Sequence, residues 1–431
     1  MKLATCDVGM DSRKTRLVQG QGLGASWVRF GDRLLLFASN SQWGSIATQA
    51  MRGGLRLEEY PSDVDEAELY LVVQKGRLFQ QQYPDVPVLL DKGRYLAVKL
   101  SPAERAKVDT KSSSCFGICP LPVNTVVFDV RPQPSARETP VDWIQDLVDE
   151  VTRTTLETSL THLVSYPTRF STSAHYLNAA EWCRGQLDTL GYNTRLETIA
   201  VGNTTSRNVI ATKSGSGSST RELILLVAHL DSVNTPGGPD APAPGADDNG
   251  SGSAGLLELA RILAPHQFVQ DLQFVLFGGE EQGLLGSVQH VQSLLTEERA
   301  RIRAIINKDM IGTLNTPAPT VLLEGAPVSQ SVIVDLANAA ATYTSLTVET
   351  SLTPFASDHV PFIDAGLPAV LTIEGADSVN NNIHTANDTL VHINFDLAME
   401  ILRMNVAFIA PKLERMPTDQ WLGPLLHVMM S

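Results

Sequence analysis

Leu223-Ile224-Leu225-Leu226-Val227-Ala228-His229-Leu230-Asp231-Ser232 is the stretch on which the fold turns. An unbroken apolar run leads into a histidine and, two residues on, an aspartate. A near-continuous run of this kind fits a central strand covered on both faces. An open α/β sheet places its chemistry just outside the carboxyl ends of its strands. His229 therefore stands where a site belongs.

Working outward, four more segments read as the end of a buried strand or the turn after it. They are PGADDNGSG (244–252), FVLFGGEEQG (274–283), IINKDMIG (305–312) and NNNIHTANDTL (380–390). Brought to one sheet edge, the five turns collect His229, Asp247, Glu280, Glu281, Asp309 and His384. Two imidazoles and four carboxylates suit two divalent metals with a spare carboxylate. Imidazole nitrogen and carboxylate oxygen are zinc ligands, and a catalytic zinc keeps a position open for water. Paired ions about 3.5–4 Å apart form the clamp of two-metal enzymes. Asp247 is the best candidate for the shared ligand, because its glycine-rich turn lets the backbone bend sharply. Glu280 and Glu281 are poor strand residues after an apolar run. Their side chains point in different directions, so one can bind metal while the other stays free as a base.

Each segment alone has a plainer reading. His229 could be a satisfied core histidine, Glu280-Glu281 a helix first turn favoured by the dipole, Asp247-Asp248-Asn249-Gly250 a solvated turn, and Asp309 a helix cap. Independent accidents would not keep this order and spacing.

Taken together, the five segments resemble the M28 family of co-catalytic two-zinc aminopeptidases, over roughly 140–410. HLDS matches its H-x-D, GADDNGSG its G-A-D-D-N-x-S-G, GGEEQGLLGS its E-E-x-G-L-x-G-S, NKDMIG its N-x-D-M-x-G and IHTANDTL its H-T-x-x-D-T. The resemblance implies that His229 and Asp309 hold one zinc and Glu281 and His384 the other. It further implies that Asp247 bridges and Glu280 is the general base. Asp231 would orient His229, as ligating histidines usually require. A cis peptide would follow the bridging acid, at Asp247-Asp248. The implied substrate is a peptide with a free N-terminus. Relatives on the same scaffold include glutaminyl cyclases, carboxypeptidase-like members and non-catalytic scaffold domains. The complete ligand set argues against the last. Ser357-Asp358-His359 resembles a pocket-lining segment, and YPTRF (166–170) a segment preceding a helix. His266, His290 and His392 read as surface residues.

Composition bounds the rest. The chain has 431 residues, 43% of them hydrophobic, and a formal charge of −14. That length suggests two domains. The charge argues against a nucleic-acid partner, which would need a basic face. No apolar run approaches the ~20 residues of a membrane span. The start, MKLATCDVGMDSRK, has no signal-peptide apolar region. A secreted or periplasmic location with the signal removed is the expectation, with the cytoplasm as the alternative. Cys115 and Cys119 are close enough to pair across a turn. Oligomeric state is not legible.

Periodicity changes near residue 135. Before it, SWVRFGDRLLLFAS (26–39), LYLVVQKGRLF (69–79) and VPVLLDKGRYLAVKLS (86–101) read as hairpins, with Gly-Asp or Lys-Gly at the turns. TVVFDV (125–130) reads as a closing strand and RPQPSARETP (131–140) as a linker. Residues 1–132 are expected to be a small β-rich accessory domain without catalytic motifs. Residues 133–431 are expected to form the peptidase-like domain. There, strands alternate with amphipathic helices, which implies an α/β fold with a mixed, largely parallel sheet between helix layers.

Overall fold

The structure is a computed structural model, and it describes residues 1–9, 25–61, 63–108, 116–131, 138–218 and 220–416. Alternation along the central strand explains the layers. Leu223–His229 is buried at every position. Ile224, Leu226 and Ala228 join one apolar cluster with the helices Ala174–Thr189, Gly252–Leu263 and Phe395–Leu413. Leu223, Leu225 and Val227 join another with Val291 and Phe362. Successive strand residues face opposite sides, so an apolar run with no polar alternation is what two covering layers require.

The N-terminal strands are β1 (Lys2–Asp7), β2 (Ser26–Phe30), β3 (Arg33–Ala38), β4 (Leu57–Glu59), β5 (Leu69–Gln74), β6 (Val88–Lys92), β7 (Tyr95–Lys99), β8 (Phe116–Pro120) and β9 (Thr125–Arg131). The remainder are β10 (Asn193–Val201), β11 (Thr204–Lys213), β12 (Leu223–His229), β13 (Asp271–Phe277), β14 (Ile302–Lys308), β15 (Thr320–Glu324), β16 (Thr347–Ser351) and β17 (Ala369–Glu374). Among the described residues, thirteen of them form one sheet in the order β10-β11-β13-β12-β14-β17-β15-β16-β9-β2-β3-β1-β4. Its middle, β13-β12-β14-β17, is parallel throughout. The flanks are mixed. A second sheet has the order β6-β7-β5-β8. Among the described residues no helix is long and apolar enough to cross a membrane.

The division at residue 132 is corrected by this topology. β9 pairs antiparallel with β16, from Val348↔Arg131 to Ser351↔Phe128, so the N-terminal strands continue the central sheet. Leu3, Val28, Phe30 and Leu35 share an apolar cluster with Leu322, Leu371, Ile373 and Ile383. Arg94 is buried and donates from Nε and Nη2 to the two oxygens of Glu324, at 2.9 and 3.0 Å, and from Nη1 to Asp377 at 3.1 Å. A buried guanidinium requires this degree of pairing. The two halves therefore share one sheet and one apolar cluster. The sequence did not show this, because strand pairing across more than two hundred residues leaves no local pattern.

The hairpins at 26–39 and 86–101 are present as β2-β3 and β6-β7. The third expected hairpin is not. After β5 the chain passes through Lys75-Gly76 into a short helix, Leu78–Gln82, instead of a return strand. Cys119 is exposed on β8, and Cys115 lies outside the described residues.

Candidate metal centre and cleft

The parallel block delivers the expected residues to one edge. His229 closes β12, Glu280 and Glu281 follow β13, Asp309 follows β14 and His384 lies in the loop after β17. His229 Nε2 stands 3.2 Å from Asp309 Oδ1 and 3.2 Å from Asp248 Oδ1. His384 Nε2 stands 3.0 Å from Asp248 Oδ2 and 3.1 Å from Glu281 Oε2. Among the described residues three groups could hold a metal, His229-Asp248-Asp309, Asp248-Glu281-His384 and His229-Glu280-Glu281, and Asp248 belongs to the first two.

The acid common to the two groups is thus Asp248, whereas the expected Asp247 belongs to none of them. Asp247 has its acceptors filled. It takes hydrogen bonds from Gly312 N at 2.9 Å, Thr313 Oγ1 at 2.6 Å and Asn380 Nδ2 at 2.8 Å. Asp248 has non-helical backbone (φ −102°, ψ 96°), which turns its side chain to the opposite side, toward the imidazoles. The cis peptide likewise falls one residue later, at Asp248-Asn249. Two adjacent acids in a turn are equivalent in sequence; only the local dihedrals separate them.

The turn is held from several directions. Asp388 accepts from the backbone N–H groups of Asp247 and Asp248, at 2.9 and 3.0 Å. Asn249 donates to Lys308 O, fixing the turn to β14. Buried Arg169, in the YPTRF segment, donates to the carbonyls of Leu230 and Gly245, both at 2.8 Å. Gly245 has φ +54°, and a Cβ there would stand 2.6 Å from Asp248 O. This is a position that only glycine fills. His384 also takes left-handed backbone, φ 57°, a conformation that persists only where the surroundings impose it.

Asp231 faces both His229, with Oδ1 3.7 Å from Nδ1, and the neighbouring turn. Its carboxylate accepts from Glu280 N at 3.3 Å and Glu281 N at 3.2 Å, while its backbone oxygen faces His229 Nδ1 at 3.2 Å. Ser357 Oγ donates to Asp309 Oδ2 at 2.6 Å. His359 is buried against Glu324, 3.5 Å away, and does not line the cavity at the site. His290 is also buried, 3.1 Å from Glu197, which corrects its surface reading. His392 is exposed as expected.

The electrostatics suit a cation. Asp248, Glu280, Glu281 and Asp309 converge in a site where charges are costly unless compensated. Both oxygens of Asp248 and Oε1 of Glu281 are buried without a hydrogen bond. Burial pulls the His229 pKa down, but Glu280 and Asp309 outweigh it and hold the imidazole well above its usual range. Burial lifts the Glu280 carboxyl well above the carboxylate range, against the pull of Lys75 and His229. Unpartnered acceptors of hard and borderline type around two imidazoles are the donor set that zinc takes.

Lys75 was not foreseen. Its Nζ donates to Glu280 Oε1 at 2.9 Å and stands 3.7 Å from Asp309 Oδ2. Burial lowers its pKa, and the surrounding carboxylates, Glu280 first, more than reverse that. A cavity of about 500 Å³ opens beside it, walled by Phe116 and Ile118 of the N-terminal part and by Leu284, Phe355 and His384 of the other. The only local signal was a Lys-Gly pair, which reads as a hairpin turn.

Overlapping groups of imidazoles and carboxylates at the carboxyl edge of a parallel block are a candidate metal centre on an α/β fold. Comparison with known proteins gives the family. The profile described as Peptidase family M28 matches residues 208–409. Leucine aminopeptidase 1 of Chaetomium globosum is 30% identical over 287 residues, covering 62% of this chain and 69% of that protein. Among solved structures, the LapA aminopeptidase of Legionella pneumophila is similar with a TM-score of 0.57 at 18% identity, covering 81% of this chain and 99% of that one. A zinc aminopeptidase from Bacillus subtilis is similar with a TM-score of 0.54 at 19% identity, covering 64% and 97%. The chain belongs to peptidase family M28.

Proposed function

We propose that the chain is a zinc-dependent aminopeptidase, holding two ions and using Glu280 as general base to release N-terminal residues from peptides. The observation that carries this is Asp248, whose two oxygens each face a different imidazole and so link two ligand sets. His229 and Asp309 would complete one set, Glu281 and His384 the other. The names of the relatives, leucine aminopeptidase and zinc aminopeptidase, support the same reading.

When bound, the ions polarise the scissile carbonyl and acidify the attacking water. The rest is the work of side chains. Glu280 lies outside the two sets that share Asp248, although it also stands within ligand distance of His229 and Glu281, and it lines the cavity. It takes the proton of the attacking water at a carboxylate oxygen and returns it to the leaving amine. Asp231 holds the backbone of Glu280 and Glu281 together, so base and ligand keep a fixed separation. The acids around Asp248 and Glu281 attract the protonated or neutral α-amine of the substrate, which makes the enzyme an exopeptidase. Phe116, Ile118 and Phe355 exclude water and receive an apolar first side chain.

The test is turnover of leucyl-nitroanilide by zinc-loaded protein, beside cyclisation of a peptide with N-terminal glutamine. Release of nitroaniline without cyclisation is expected. Cyclisation without hydrolysis would overturn the assignment in favour of a transferase.

A further inference from the structure

Lys75 is the only lysine or arginine that lines the cavity among the described residues, and it comes from the part of the chain that carries no peptidase motif. It is fixed there by the fold. β5, which ends at Gln74, pairs with β7 and β8, and Arg94, at the turn into β7, is clamped by Glu324 and Asp377. The cation is therefore a built part of the cleft wall.

Its place relative to Glu280 says what it meets. On the reading above, the leaving amine must come within hydrogen-bond distance of the Glu280 carboxyl to receive its proton. If the leaving group is a single amino acid, its α-carboxylate lies two bonds beyond that amine. Lys75 Nζ stands 2.9 Å from Glu280 Oε1. An ammonium offers three donors on a flexible stem. One is used on Glu280, and Asp309 at 3.7 Å is beyond hydrogen-bond distance. An amine at Glu280 thus brings its own carboxylate within reach of the remaining donors. An acidic cleft would otherwise repel that carboxylate. The cavity of about 500 Å³ is of small-ligand size, and Phe116, Ile118, Leu284 and Phe355 give its other wall an apolar character.

We propose that Lys75 is a specificity-determining residue that pairs with the free C-terminal carboxylate of a dipeptide, and that dipeptides with an apolar first residue are the preferred substrates. This rests on the aminopeptidase reading.

The test compares leucyl-leucine with leucyl-leucinamide, in zinc-loaded wild type, Lys75→Met and Lys75→Arg, with leucyl-nitroanilide as the control for exopeptidase activity. Wild type is expected to favour the free dipeptide over its amide. In Lys75→Met that ratio of kcat/KM should fall about 10–100-fold, the loss of one charge-assisted hydrogen bond, and chiefly through KM. Lys75→Arg should keep most of it. A ratio unchanged in Lys75→Met, with both substrates slowed alike, would show that Lys75 acts only through Glu280 and overturn the proposal. So would a wild type indifferent to the amide. Calorimetric binding of a reduced-amide dipeptide isostere, as free acid and as amide, asks the same question without turnover. A preference for the acid that Lys75→Met abolishes supports the proposal, and equal binding overturns it. Failure of the nitroanilide control alone bears on the exopeptidase reading and leaves the binding comparison to decide for Lys75.

Discussion

Lys75 and Glu280 are 205 positions apart in the chain and joined by a buried 2.9 Å hydrogen bond. The contact links a strand end that has no recognisable motif to the most recognisable acid of the cleft. It also turns the N-terminal third from a neighbour of the site into a part of it.

Removal of that third is accordingly expected to be fatal. A chain beginning near Pro140 would expose β16 as a bare edge and strip Leu322, Leu371 and Ile373 of their packing partners. Exposed edges of this kind aggregate. The truncated protein should be insoluble or lack a cooperative thermal transition. A soluble product with a sharp transition and bound zinc would restore the separate domain expected from sequence.

Glu280→Gln should cut kcat by about 10²–10⁴-fold, the usual worth of a positioned proton acceptor, with zinc content unchanged. Metal analysis and steady-state rates on the same preparation separate the two quantities. More than about a tenth of wild-type kcat would remove Glu280 from the role.

Asp247 and Asp248 make opposite predictions. Asp248→Ala should lose both ions, and His384→Ala mainly one. Asp247→Ala should keep its metal but unfold at lower temperature, because Gly312 N, Thr313 Oγ1 and Asn380 Nδ2 lose their acceptor. Each orphaned buried donor costs about 1–3 kcal/mol. Zinc analysis beside thermal denaturation distinguishes the pair. Two ions retained in Asp248→Ala would end its bridging role.

Glu349 offers a test by pH. Burial, helped by Asp377, lifts its carboxyl from the ordinary 4.5 to about 7. The folded state therefore binds this proton more tightly than the unfolded state. Stability is unaffected by this group below about 4.5, declines as pH rises toward about 7, and stays lowered above that. Glu349→Gln should be more stable than wild type at pH 8 and lose the advantage by pH 4, as read by urea denaturation at each pH. An advantage independent of pH would contradict the shift.

How much of this the sequence showed depended on whether the information was local. His229, Glu280, Glu281 and Asp309 were legible as a cluster because each sits at or just after a strand end whose apolar run and turn chemistry are contiguous, and His384 because of the local motif around it. The α/β alternation was legible for the same reason. Asp248 was missed by one position, because adjacent acids in a glycine-rich turn differ only in backbone dihedrals. Lys75 was missed because its meaning lies in a partner more than two hundred residues away. His290 was misplaced because a polar residue on a helix gives no sign of which face is covered. The unity of the two halves was hidden by a local feature of the sequence, the proline-rich 131–140 segment, of which 132–137 lie outside the described residues.

The thirteen-stranded sheet carries a consequence for how the molecule comes into being. A ribosome releases β2 and β9 long before β16, the strand that anchors them, and Lys75 long before Glu280. His384, the last of the cleft residues in chain order, emerges after all the others. A nascent or prematurely ended chain has every early ingredient of the cleft and no assembled cleft. The cleft can therefore assemble only after His384 has been made, so a copy that stops short of it cannot digest the peptides around it.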